Sequence, residues 1–202
     1  MRVSDNVACE GFPCGGMVHQ AYQIPTVELE PERIRVLLIS EAAPPSAEDG
    51  YYAEGEPLFA ATTVQAFRDA GIAVANMQQI LELGVYATTA IKCGKQGYGI
   101  KADPINTCSR LLERELALFP EVRVLLLMGD VAIKAVNAIA RRAGEGRVIP
   151  AGSTYKLRGG EYWFRGLRAF PSYLQAGPAF YIEKSKRAMI AEDIVAAMAL
   201  AR

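Results

Sequence analysis

Apolar and polar positions along the 202 residues alternate between two textures. Continuous apolar runs of strand length occur at "RIRVLLIS" (Arg33 to Ser40), "VYATTAIKC" (Val85 to Cys93) and "VRVLLLMGD" (Val122 to Asp130). Such runs fit parallel strands buried on both faces. Between them lie stretches of helical period. "LFAATTVQAFRDAG" (Leu58 to Gly71) closes on a glycine, and "VAIKAVNAIARRAG" follows a Gly-Asp turn. "PINTCSRLLERELALF" is entered through Asp103 as N-cap, with Pro104 at the first helical position. After Pro150 the pattern "STYKLRGGEYWFRGLRAFPS" alternates around Gly159-Gly160 as a β-hairpin would, and the last twenty residues read as an amphipathic helix. The order predicts an α/β fold: a three-layer α/β/α sandwich with a mostly parallel central sheet. Residues 1–202 read as a single domain, with a cysteine-bearing segment, 1–30, packed on it.

Composition adds limits. With 51% hydrophobic and 22% charged residues the chain is expected to fold as a soluble globule. No apolar run approaches the ~20 residues of a membrane span, and "MRVSDNVACEGFPCGG" lacks the apolar core of a secretory signal. The expectation is a cytoplasmic protein, monomeric and without membrane contact, whose four cysteines are ligands rather than disulfides. Charge is unevenly spread. Met1 to Ile133 carries 10 Lys/Arg against 17 Asp/Glu, whereas Lys134 to Arg187 carries 11 against 3. That basic stretch predicts either an anionic partner or two oppositely charged faces.

In open α/β sheets the ligand site lies beyond the carboxyl ends of the strands. Three loops fall there: "SEAAPPSAEDGYYAEGEPLF" (Ser40 to Phe59), Cys93 to Asp103, and "FPSYLQAGP" (Phe170 to Pro178). No G-x-x-x-x-G-K-[ST] or G-x-G-x-x-G motif supports a nucleotide-handling enzyme.

The order "S-E-A-A-P-P", "G-E-P-L-F", "T-T-A-I-K-C", "L-L-L-M-G-D-V-A-I-K-A" and "F-P-S-Y-L" resembles the uracil-DNA glycosylase superfamily, most nearly its thermophile-type iron–sulfur (family 4-like) branch. The likeness runs from about Ile34 to Tyr173, with two cysteines upstream. It implies a uracil-DNA glycosylase-like fold and a repair protein excising uracil or a related damaged base from DNA. The damaged base would be flipped out of the duplex. It further implies a 4Fe–4S cluster on Cys9, Cys14, Cys93 and Cys108, a donor set that would also suit zinc.

By position in the resembling motifs, Glu41 would orient water or stabilise the cationic sugar. Phe59 or Tyr52 would stack on the base, Ser172 would bind phosphate and Leu174 would wedge into the vacated stack. Lys92, Lys95 and Lys101 would contact phosphates, and Tyr98 would pack on sugar or base. Three departures stand out. The first cysteine pair is C-x4-C rather than C-x2-C; Thr89 stands where the family's asparagine reads the uracil edge; Phe170 stands where its histidine donates to the departing base. The only histidine, His19, reads as a surface or packing residue. These departures leave a second reading open: a non-catalytic iron–sulfur DNA-binding protein of the same fold.

Overall fold

The computed structural model describes residues 1–95, 97 and 99–201. Tyr98 therefore lies outside the described residues. The described elements form a three-layer α/β/α arrangement around a six-stranded sheet. Its strands are β1 (Met17–Val18), β2 (Val36–Ala43), β3 (Val85–Lys95), β4 (Val124–Met128), β5 (Tyr162–Phe164) and β6 (Leu167–Ser172). They lie in the order β1-β3-β2-β4-β6-β5. The middle four run parallel, and the two short edge strands are antiparallel.

The buried runs of the sequence explain the layers. In β2 and β4, Leu37, Ile39, Leu125 and Leu127 point to one face. Their neighbours Val36, Leu38, Leu126 and Met128 point to the other, because successive strand side chains alternate. Helices α3 (Ala102–Leu116) and α4 (Asp130–Arg142) cover the first face; α1 (Leu58–Asp69), α2 (Met77–Glu82) and α7 (Lys184–Leu200) cover the second. On α7, Ile190, Ala191, Ile194 and Ala197 make the buried stripe while Val195 and Leu200 stay exposed.

Chain order places a switch point at β2. The helix following β2 lies on one face of the sheet and the helix following β4 on the other. Their connecting loops diverge, opening a crevice beyond the carboxyl ends of β2 and β4.

Two local expectations are corrected. Helix α3 starts at Ala102 with Lys101 at the N-cap and no side-chain cap. Asp103 is one residue inside, where its charge still favours the positive helix end. The hairpin of β5 and β6 turns at Arg165-Gly166, not at Gly159-Gly160. Both turn residues have positive φ, 51° and 82°, the left-handed pair a two-residue hairpin loop needs. Residues 159 and 160 instead follow a short helix, α5 (Thr154–Leu157).

Candidate functional site

Four cysteines lie in the region where the N-terminal segment joins the edge of the sheet. Cys9 and Cys14 precede β1, whose Met17 and Val18 pair with Lys95 and Gly94 of β3. Cys93 lies near the end of β3 and Cys108 on α3. The segment is tied further by the N-terminal ammonium on the Leu29 carbonyl, 2.6 Å. The Gln23 N–H donates to the Lys92 carbonyl at 2.7 Å, and the Cys9 N–H donates to the Tyr22 hydroxyl at 2.8 Å. Cys14, Cys93 and Cys108 are buried. Burial, reinforced by charge on the other thiols, pushes Cys93 up to about 12, and burial raises Cys14 and Cys108 as well. Nδ1 of His19 stands 3.4 Å from Sγ of Cys93. Its ring also packs on Phe12, with centroids 5.2 Å apart. Among the described residues no three His, Cys, Asp or Glu side chains converge as ligands of one ion would.

Between the N-terminal segment, the end of β2 and the Thr88-Thr89 stretch of β3 is a cavity of about 420 Å³. Its walls include Tyr22, Gln23, Tyr51, Tyr52, Phe59 and Thr89, and among the described residues no charged side chain lines it. Tyr51 and Phe59 rings are 5.4 Å apart; Tyr52 stacks on Tyr86 at an interplanar angle of 12°. The Tyr51 hydroxyl donates to Ser40 at 2.6 Å and accepts from the amide of Gln175 at 2.9 Å. The Tyr52 hydroxyl accepts from the Ala87 N–H at 2.9 Å. Burial raises the pKa of both phenols, keeping them neutral. A neutral, aromatic, half-enclosed space suits a flat uncharged heterocycle.

Of the residues singled out in the sequence, Tyr52, Phe59 and Thr89 come together on this cavity. Thr89 brings no free donor, because its hydroxyl already bonds the Ile91 carbonyl at 2.8 Å. Glu41 stands outside the cavity walls, against the start of α4. Its carboxylate accepts from the Val131 N–H at 3.4 Å and lies against Gly129, where α4 begins. A carboxylate there gains from the helix dipole.

Three of the expected site residues are enclosed. Lys92 is 0% exposed: its ammonium pairs with Glu115 and donates to Thr88 Oγ1 at 2.8 Å and the Thr89 carbonyl at 2.7 Å. A lysine so enclosed cannot reach a DNA phosphate. Lys95 is half-buried and Lys101 exposed. Phe170 and Ser172 face the layer of α1 and α7, since alternate residues of β6 share a side. There Phe170 packs in the core with the Arg168 guanidinium 4.5 Å from its ring. Ser172 donates to Asp193 at 2.6 Å and is fully buried. Leu174 is half-buried against the same core; the prominent apolar side chain after β6 is Ile182, 78% exposed.

The basic stretch is likewise drawn inward. Arg142 and Arg165 pair with Glu113, Arg158 with Glu192 and Asp193, and Arg187 with Asp69. These pairs offset part of the charge imbalance along the chain.

Sequence reasoning missed Tyr22, Gln23 and Tyr51 as cavity walls. Tyr51 carried a signal, standing beside Tyr52 in a loop after a buried strand. Tyr22 and Gln23 carried none, because only the folding-back of the N-terminal segment brings them there.

Fold and site together define an α/β/α protein with a neutral aromatic cavity at the end of β2 and four cysteines where the N-terminal segment joins the edge of the sheet. The chain is 33% identical over 79 residues to the Type-5 uracil-DNA glycosylase of Thermus thermophilus. That similarity takes in 39% of this chain and 36% of the relative, so it spans about a third of the curated protein. No protein-family model matches the chain. Among the described residues no helix is long and apolar enough to cross a membrane.

Proposed function

We propose that this chain is a DNA glycosylase-like protein that takes a flipped base, uracil or a related damaged base, into the cavity between Tyr51, Tyr52 and Phe59. The observation carrying this reading is the cavity itself: neutral, aromatic and at the end of β2. The partial similarity to a uracil-DNA glycosylase points the same way. Hydrolysis of the N-glycosidic bond builds positive charge on the sugar and negative charge on the base. Glu41, anchored at the start of α4, is the carboxylate for the sugar side, orienting a water or countering the cation. Base-side stabilisation falls to backbone N–H groups, since neither Thr89 nor Phe170 offers a donor. Lys95 and Lys101 are the phosphate contacts retained in this reading.

In the same reading Cys9, Cys14, Cys93 and Cys108 hold a 4Fe–4S cluster. The donor chemistry suits such a cluster: four thiols, three of them buried, on three separate parts of the chain. Such a cluster supplies cross-linking of those parts rather than a reaction step. The neighbouring residues do the rest: Tyr22 and Gln23 carry the fixed N-terminal segment into the cavity wall.

A specific observation favours a second reading, a DNA-binding protein without turnover. The hydroxyls of Thr89 and Ser172 are committed internally and Phe170 is in the core. The test uses anaerobically purified protein on oligonucleotides containing uracil, hypoxanthine or xanthine, with alkaline cleavage of abasic sites as readout. Product that disappears in Glu41→Gln supports the glycosylase. No product from protein that still shifts these oligonucleotides supports the binding protein.

A further inference from the structure

Within that cavity the polar groups are unequally occupied. The hydroxyls of Tyr51, Thr88 and Thr89 donate within the protein, and those of Tyr22 and Tyr52 accept from the N–H groups of Cys9 and Ala87. Among the described residues Gln23 is the one side-chain amide on the wall. Its backbone is pinned to Lys92 at 2.7 Å, yet its side chain makes a single long contact, Nε2 to the Ser46 carbonyl at 3.5 Å. Space is kept for it: a Cβ added to Gly50 would fall 2.3 Å from Oε1 of Gln23. A primary amide offers an acceptor and a donor side by side, the pattern that pairs bidentately with an N–H next to a carbonyl on a base edge.

We infer that Gln23 is the specificity-determining residue of the cavity, its amide reading the Watson–Crick edge of a lactam or imide base such as uracil or hypoxanthine. This rests on the glycosylase-like reading and deepens it. The N-terminal segment thereby supplies an amide to a cavity whose sheet wall, at Thr89, has none. The backbone tie to Lys92 fixes where the side chain starts, and the weak bond to Ser46 leaves it free to engage the base.

The test compares binding of two duplexes. One carries 2′-fluoro-deoxyuridine, a uracil nucleotide resistant to excision; the other carries a tetrahydrofuran abasic analogue at the same place. In Gln23→Ala, affinity for the uracil duplex is expected to fall on the order of 10-fold or more, as for two lost hydrogen bonds, with abasic binding unchanged. Gln23→Glu keeps the shape and an acceptor but loses the donor, so it should show the same selective loss. Equal weakening on both duplexes would mean a structural role and overturn the inference, as would no weakening on either. Wild-type protein that binds both duplexes alike would instead locate the failure in the glycosylase-like reading and remove the inference with it.

Discussion

The side chain of Glu41 occupies the space over Gly129 where a Cβ would stand: an added Cβ would lie 2.7 Å from its Cγ and Oε1. Gly129 has φ of +103°, a conformation that other residues adopt only with strain. The end of β2 and the start of α4 are therefore built around one another. Gly129→Ala should cost on the order of 1–3 kcal/mol, and part of that cost should vanish in a Glu41→Ala background. Denaturant unfolding of the two single variants and the double variant measures the coupling. Strictly additive losses would mean that the contact couples nothing.

Lys92 and Glu115 form an enclosed ion pair, with the Tyr86 hydroxyl donating to Glu115 at 2.7 Å. Removing one partner leaves a buried charge. Lys92→Met alone should destabilise by roughly 3–5 kcal/mol. Lys92→Met with Glu115→Leu should cost clearly less than the sum of the single changes. Equilibrium unfolding gives the comparison, and a double variant as unstable as that sum would contradict it.

Asp69 and Arg187 join α1 to α7, with Nη2 of Arg187 2.7 Å from the carboxylate. That hydrogen bonding outweighs burial and holds Asp69 below the usual carboxylate range. A carboxyl whose pKa is lower in the folded chain contributes stability above its unfolded value of about 3.9. The contribution is lost as pH falls through the folded value. Because the pair is partly solvated, Asp69→Asn should cost no more than ~1 kcal/mol near neutrality. Thermal unfolding from pH 7 to pH 2 should show the two proteins converging at the acid end.

Metal content separates the two candidates for the four thiols. Protein prepared without oxygen should contain iron and acid-labile sulfide in equal amounts, and Cys93→Ser should lose both. Zinc without sulfide would establish the other occupant. Because residues 1–30 carry both Cys9 and Cys14 and one wall of the cavity, stripping the metal should speed proteolysis within that segment. Limited proteolysis with mass detection follows this.

Lys101 is exposed beside the loop after β3. If it meets phosphate, Lys101→Ala should weaken binding of all duplexes similarly and lower the slope of log affinity against log salt by about one. Lys92→Met should leave that slope unchanged, since Lys92 is enclosed.

Strands and helices were legible because their signals are local. A run such as Leu125 to Met128 can only be a strand covered on both faces. The helical period of Leu58 to Gly71 needs no partner to be read. Tyr52 and Phe59 were placed at the site by their positions in the family-like motifs that follow a buried strand. The face of β6 that α1 and α7 would cover was not written locally, so Phe170 and Ser172 looked available until packing buried them. Lys92 looked like a surface cation for want of Glu115, which lies twenty-three positions away on another element. The sequence by itself determined the alternation of elements, the layered sheet and the four thiols. Only the tertiary structure decided which polar groups are consumed inside the protein and that the N-terminal segment closes the cavity, because both depend on partners distant in the chain.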